Sequence, residues 1–167
     1  VKKPIPTRRQ RRGNRLLAEH IHDPYWIGLK LRNDTLCPSC GAAFRNGRWT
    51  WPKVETQWPA KALCPACRRI EDGYPAGEIL LDGSFVAGHR DEITKLVRSV
   101  ERSETAEHPL HRIMDVHVDD DALTITTTDI HLPRRIGHAL EDAWDGALST
   151  HYDEEGCFAR VIWHRDN

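Results

Sequence analysis

Four cysteines carry the most explicit chemistry in the sequence. Cys37 and Cys40 lie in C-P-S-C-G, and after 23 intervening residues Cys64 and Cys67 lie in C-P-A-C-R-R. Each pair sets two sulfurs on one tight turn, and two such turns brought together supply the four thiolates of a tetrahedral zinc site. Pro38 and Pro65 fix φ early in each turn, and Gly41, directly after the first pair, can take the left-handed conformation that ends a knuckle. A closed four-thiolate shell leaves Zn2+ no position for water or substrate, so the metal holds the fold and takes no part in a reaction. The alternatives are two disulfides or four free buried thiols. A redox pair fits less well, because neither CxxC is expected to open a helix in a thioredoxin-like βαβ context.

The residues between the pairs must bring the two turns together. Asn46-Gly47 is a hairpin turn signal, and Arg48-Trp49-Thr50-Trp51 alternates as a strand does. Residues 35–76 therefore read as a small zinc ribbon. Trp49, Trp51 and Trp58 are interleaved with Arg45, Arg48, Lys53 and Lys61. That pattern admits a platform on which nucleic-acid bases stack, and equally the apolar cover of a tiny sheet. Arg68 and Arg69, directly after the second pair, extend the basic surface.

The formal net charge of the 167 residues is −1, which hides a strong asymmetry. Residues 1–69 hold 15 Lys and Arg against 4 Asp and Glu, a balance of +11, and residues 70–167 hold 9 against 21, a balance of −12. The front of the molecule is thus suited to a polyanion and its body is not. Residues 1–34 read as a basic arm with a short helical lead-in at 15–22. Within the arm, Arg8, Arg9, Arg11, Arg12 and Arg15 are set among prolines and a glycine. They form either phosphate contacts that order on a nucleic acid or a solvated tail. His20 and His22 read as surface histidines, and Tyr25 and Trp26 as anchors for the lead-in. No apolar run approaches the length of a membrane span, and the first residues lack the apolar core of a signal peptide. The expected location is the cytoplasm, where thiols stay reduced.

Residues 77–167 change character. A strand candidate in E-I-L-L-D-G-S-F precedes a helix carrying Ile93, Leu96, Val97 and Val100 on one face. A hairpin follows, with Met114, Val116 and Val118 alternating before Asp119-Asp120-Asp121, and Leu123, Ile125 and Thr127 after it. A second helix presents Leu132, Ile136, Leu140 and Ala143, and two more strands flank the acidic turn at 153–156. The order βαββαβ with one added strand predicts an α+β, ferredoxin-like split βαβ sandwich. The histidines are scattered and form no catalytic motif, so no enzymatic activity and no small-molecule substrate is expected. Cys157 reads as a small buried side chain beginning a strand. Arg134 and Arg135, near the start of the second helix, are either a second phosphate contact or a solvated pair.

Several stretches, C-P-A-C-R-R-I-E-D-G-Y-P-A-G-E-I-L-L, H-R-D-E-I, T-T-T-D-I-H-L-P-R-R-I-G and Y-D-E-E-G-C-F-A-R-V-I-W, resemble the Nmd-three family, the export adapters of the large ribosomal subunit and their archaeal relatives. The resemblance covers roughly residues 35–164. It implies a ribosome-binding protein on the intersubunit face, with Cys37, Cys40, Cys64 and Cys67 as zinc ligands. The larger family members carry more CxxC pairs and a further domain resembling a translation factor, and nothing here resembles a nuclear export signal, so the export role does not carry over. The expectation is a zinc-containing factor bound to rRNA of the large subunit, acting in hibernation or silencing or in assembly. A zinc-ribbon DNA-binding module and a small-ligand enzyme using the α+β domain are the rival readings.

Overall fold

A computed structural model of the chain describes residues 23–25, 31–53 and 59–167. The basic arm, the helical lead-in at 15–22, Trp26 and Trp58 lie outside the described residues.

The front module is built on very short strands: β1 (Thr35–Leu36), β2 (Ala43–Arg45), β3 (Arg48–Thr50) and β4 (Ala60–Lys61), in the order β3-β2-β1-β4. Asn46 and Gly47 both take positive φ, 51° and 79°, and turn β2 back into β3 as the dipeptide predicts. The second cysteine pair differs from its expected form because it opens a helix, α1 (Pro65–Asp72). Cys64 is the residue before the first turn, its sulfur accepts from the Cys67 N–H, and Pro65 occupies a position with no N–H to satisfy. Gly73 ends the helix in the left-handed region, φ 61°, with its N–H on the carbonyls of Arg69 and Ile70.

The rear domain contains β5 (Gly77–Asp82), α2 (Ser84–Gly88), α3 (Arg90–Glu107), β6 (Ile113–Val118), β7 (Ala122–Thr127), α4 (Leu132–Trp144), β8 (Ala147–Tyr152) and β9 (Ala159–His164). Alternation along the strands puts Ile79, Leu81, Leu123, Ile125, Val161 and Trp163 on one sheet face. Against them pack Ile93 and Val97 of α3 and Leu132, Ile136 and Leu140 of α4. Gly137 lets α4 approach closely: a Cβ there would stand 2.6 Å from Leu148 Cδ1.

The architecture is α+β, and the sheet order is β6-β7-β5-β9-β8. β7 lies between β5 and β6 as a split βαβ unit requires, antiparallel to both. The strand after the second helix does not take the place beside β5. That place is held by β9, parallel to β5, and β8 is displaced to the edge, antiparallel to β9.

Three local expectations change. A bulge between Ile113 and Asp115 shifts the register, so Ile113 enters the core beside Val116 and Met114 leaves the alternation, while Val118, the last residue of β6, is 52% exposed. Ala143 faces solvent, and the buried stripe of Leu132, Ile136 and Leu140 continues instead at Trp144, which packs on the core. Cys157 precedes β9 on a turn and is half-buried, its N–H donating to Asp153 Oδ1 at 2.7 Å. Among the described residues no helix is long and apolar enough to cross a membrane.

Candidate metal centre

The backbone of the first turn fixes two sulfurs before any metal is considered. Gly41, φ 78°, donates to the Cys37 carbonyl at 3.0 Å, and Cys37 donates to Ala42 O at 2.8 Å, closing the loop that carries Cys37 and Cys40. The start of α1 supplies Cys64 and Cys67. Across the two turns the Cys64 N–H donates to Cys37 Sγ at 3.4 Å.

The four sulfurs of Cys37, Cys40, Cys64 and Cys67 all lie within 4.8 Å of one another. A tetrahedron with Zn–S bonds of about 2.3 Å has S···S edges of about 3.8 Å. The Cys40 to Cys64 separation is 3.7 Å, which matches such an edge and is far too long for a disulfide. All five cysteines are free thiols, and Cys37 and Cys64 have no exposed surface. Four thiols this close, one pair of them already at the edge length, fit a closed, soft-ligand metal shell with no place for substrate, so the chain can hold a metal ion there.

Electrostatics point the same way. The hydrogen bond with Cys64 pulls the Cys40 thiol down to about 4, and the same contact, aided by burial, pushes Cys64 up. Burial also raises Cys67. Four crowded sulfurs cannot all ionise unaided, and a bound dication removes that obstacle. The N-terminal end of α1 adds positive potential at Cys64 and Cys67.

Arg112, on the segment entering β6, completes the surroundings from the rear domain. Its guanidinium donates to Cys64 Sγ at 3.3 Å and to Cys67 Sγ at 3.5 Å, and its Nε donates to Pro109 O at 2.8 Å. Burial works against the Arg112 charge, and attraction to Cys40 and Cys64 outweighs it, holding the guanidinium above its ordinary value. The two regions also meet where Trp51 Nε1 donates to Thr105 O at 2.6 Å and Leu110 packs on the cluster of Cys37, Ala42, Trp49 and Cys64.

The residues expected to touch nucleic acid separate into three groups. Arg8, Arg9, Arg11, Arg12 and Arg15 lie outside the described residues. Arg48, Lys53, Arg134 and Arg135 are exposed, Arg68 is half-buried, and Arg45 pairs with Asp34 at 2.5 Å. Trp49 and Arg69 correct the expectation. Trp49 is 5% exposed, its ring 5.6 Å from that of Phe44, so it packs the module and has no face for a base. Trp51 is half-buried with its indole N–H committed to the rear domain. Arg69 is 2% exposed, paired with Asp23 at 2.6 Å, with its guanidinium 4.2 Å from the Tyr25 ring centroid and an N–H on Tyr74 O. Its charge is spent inside the protein, holding residues 23–25 against α1.

The structure also assembles a group that spacing alone does not reveal. His111 lies between two carboxylates, Nδ1 at 3.3 Å from Glu104 Oε2 and Nε2 at 3.5 Å from Asp129 Oδ2. The same Asp129 oxygen accepts from the N–H groups of His131 and Leu132 and caps α4. Burial pushes the Asp129 carboxyl up, against the pull of His111. The rings of His108 and His131 lie 4.7 and 5.7 Å from that of His111. The readable signal was the T-T-T-D cap before α4; the approach of His108 and His111 to it depends on the hairpin.

Comparison with protein-family models, with curated proteins and with solved structures finds no match.

Proposed function

We propose that the protein is a non-enzymatic, zinc-containing factor that binds ribosomal RNA of the large subunit near its intersubunit face, in the cytoplasm. The observation that carries this reading is the +11 front joined to a −12 rear. A cationic module grips folded RNA through phosphates, and an anionic domain held behind it resists further contact and is presented outward. The likeness to the Nmd-three family over residues 35–164 supports the ribosome as the source of that RNA. Zinc is the metal favoured by four thiolates; Cys37, Cys40, Cys64 and Cys67 would hold it, and its role would be to cross-link the two turns. The exposed Arg48 and Lys53 on the metal module, with Arg134 and Arg135 on α4, are the described cations suited to phosphate contact.

Occupying an intersubunit surface blocks tRNA entry or subunit joining without any reaction, which suits a hibernation or silencing factor better than an assembly factor. A ferredoxin-like ancestry with an inserted strand is our reading of the rear sheet. Sedimentation of lysate through sucrose tests the proposal: the protein should travel with large subunits at low salt and leave them at high salt. If it stays at the top of the gradient at low salt, in growing and in starved cells alike, the reading fails. Sequencing of crosslinked nucleic acid separates rRNA from DNA as the partner.

A further inference from the structure

A cleft of about 320 Å³ opens beside the start of α4, lined by Glu104, His108, His111, His131, Arg134 and Arg135. Its charges are unevenly committed. Glu104 is engaged by His111 at 3.3 Å and by Arg135 Nε at 3.4 Å, and Asp129, behind His111, is engaged by that imidazole and two backbone N–H groups. Glu104 and Asp129 Oδ2 are therefore engaged by donors within the protein, while Asp129 Oδ1 is buried without a partner among the described residues. Arg134 has no acidic partner among the described residues, and the imidazoles of His108 and His131 make ring contacts with His111 and no hydrogen bond among the described residues.

A metal does not suit this arrangement. Among the described residues the cysteine quartet is the one group of three or more such donors that could hold a metal ion, and two guanidiniums at the rim repel a cation. The unspent groups are N–H donors, planar on the arginine and directional on the imidazoles. They match a ligand with several acceptor oxygens and negative charge.

We infer that this cleft binds a phosphoryl group. Arg134 supplies the principal charge, His108 and His131 supply flanking donors, and His111 is a positioning residue held by Glu104 and Asp129. This deepens the proposed RNA contact at Arg134 and Arg135 and rests on it only for the source of the phosphate, which is either a free phosphorylated small molecule or a phosphodiester of RNA.

The test uses the full chain purified with its metal, with imidazole resonances followed by NMR. Inorganic phosphate, a nucleoside 5′-monophosphate and a single-stranded RNA oligonucleotide are titrated separately. The signals of His108, His111 and His131 should move, and Arg134→Ala, an exposed change that leaves the core intact, should weaken the response about tenfold, the loss expected for one charge-assisted contact. Lys95→Ala, an exposed change outside the cleft, should leave it unchanged. His111→Gln should weaken binding while metal content stays the same. Movement with phosphate or mononucleotide identifies a small ligand, and movement with RNA alone identifies the phosphodiester; either supports the site. If no imidazole responds to any of the three, or the response survives Arg134→Ala in full, the inference is wrong. A protein that fails to sediment with ribosomes yet shows the Arg134-dependent shifts sinks the ribosome reading alone. One that sediments without those shifts sinks this inference alone.

Discussion

The front module and the rear domain solve the same problem with different materials. The rear buries Ile, Leu, Val and Trp side chains between five strands and two long helices, and Trp163, Leu81 and Ile136 have no exposed surface. The front has strands of two or three residues, and its buried cluster consists of Cys37, Ala42, Trp49, Cys64, Ala66 and Cys67. So little apolar area cannot offset the entropy of ordering the chain, so the front needs the rear surface it leans against and a cross-link of the kind a metal held by its four thiols would supply. The dependence runs one way. Arg112, Thr105 and Leu110 serve the front, while the five-stranded core has no cysteine ligand in it.

The strongest challenge to that asymmetry is removal of the metal, by a chelator or by Cys64→Ser. The amides of Cys37 and Gly41 should lose hydrogen-exchange protection, a change of several kcal/mol. Those of β5, β7 and β9 should keep theirs. A single cooperative loss across both regions would break the comparison. Next in size is Trp163→Ala, which empties a fully buried site and removes the 2.9 Å bond from Nε1 to Asp145 O. It should cost about 3 to 5 kcal/mol. Because the front leans on the rear, thermal unfolding should show both regions lowered. A fall confined to the rear would mean that the front stands alone.

Arg112→Met sharpens the comparison at the seam. It keeps an unbranched apolar stem and deletes the N–H···S bonds together with the bond to Pro109 O, so metal affinity should drop about 10- to 100-fold with the rear intact. Competition with a chromophoric chelator measures it, and unchanged affinity would reduce Arg112 to a spacer.

The smallest effect is confined to the rear. His164 Nδ1 lies 2.6 Å from Asp82 Oδ1 across the β5/β9 pair, and this contact raises the imidazole above its usual 6.5. A raised folded-state value means the stabilisation is fully present below pH 6.5 and disappears as pH rises through the folded value. In an NMR titration Asp82→Asn should lower the His164 midpoint, and an unmoved midpoint would remove the pair from the account.

What could be read from sequence was local or periodic. The CxxC spacing, the Asn46-Gly47 turn, the 3.6-residue stripe of α3 and the acidic hairpin turn each declare themselves within a few residues, and the structure contains them. What could not be read depends on partners far along the chain. Arg69 looked like surface because Asp23 and Tyr25, 46 and 44 positions earlier, are what bury it. Arg112 gave no sign of serving the thiolates, being 45 and 48 positions from Cys67 and Cys64. The Met114 bulge left a normal alternation on paper, since inserting one residue shifts which face follows without altering composition. The histidine group formed only when the hairpin brought residues 108–111 beside the start of α4.

The parallel seating of β9 against β5 has a consequence for biosynthesis. The register pairs Gly77 with Ala159 and Asp82 with His164, so each residue of β5 waits for a partner 82 positions further along the chain. Until residues 159–164 have left the translating ribosome, one edge of β5 stays unpaired and the sheet cannot close. All four thiols have emerged with Cys67, well before the rear surface that steadies them exists, so the nascent chain exposes its cationic end first and its anionic body last.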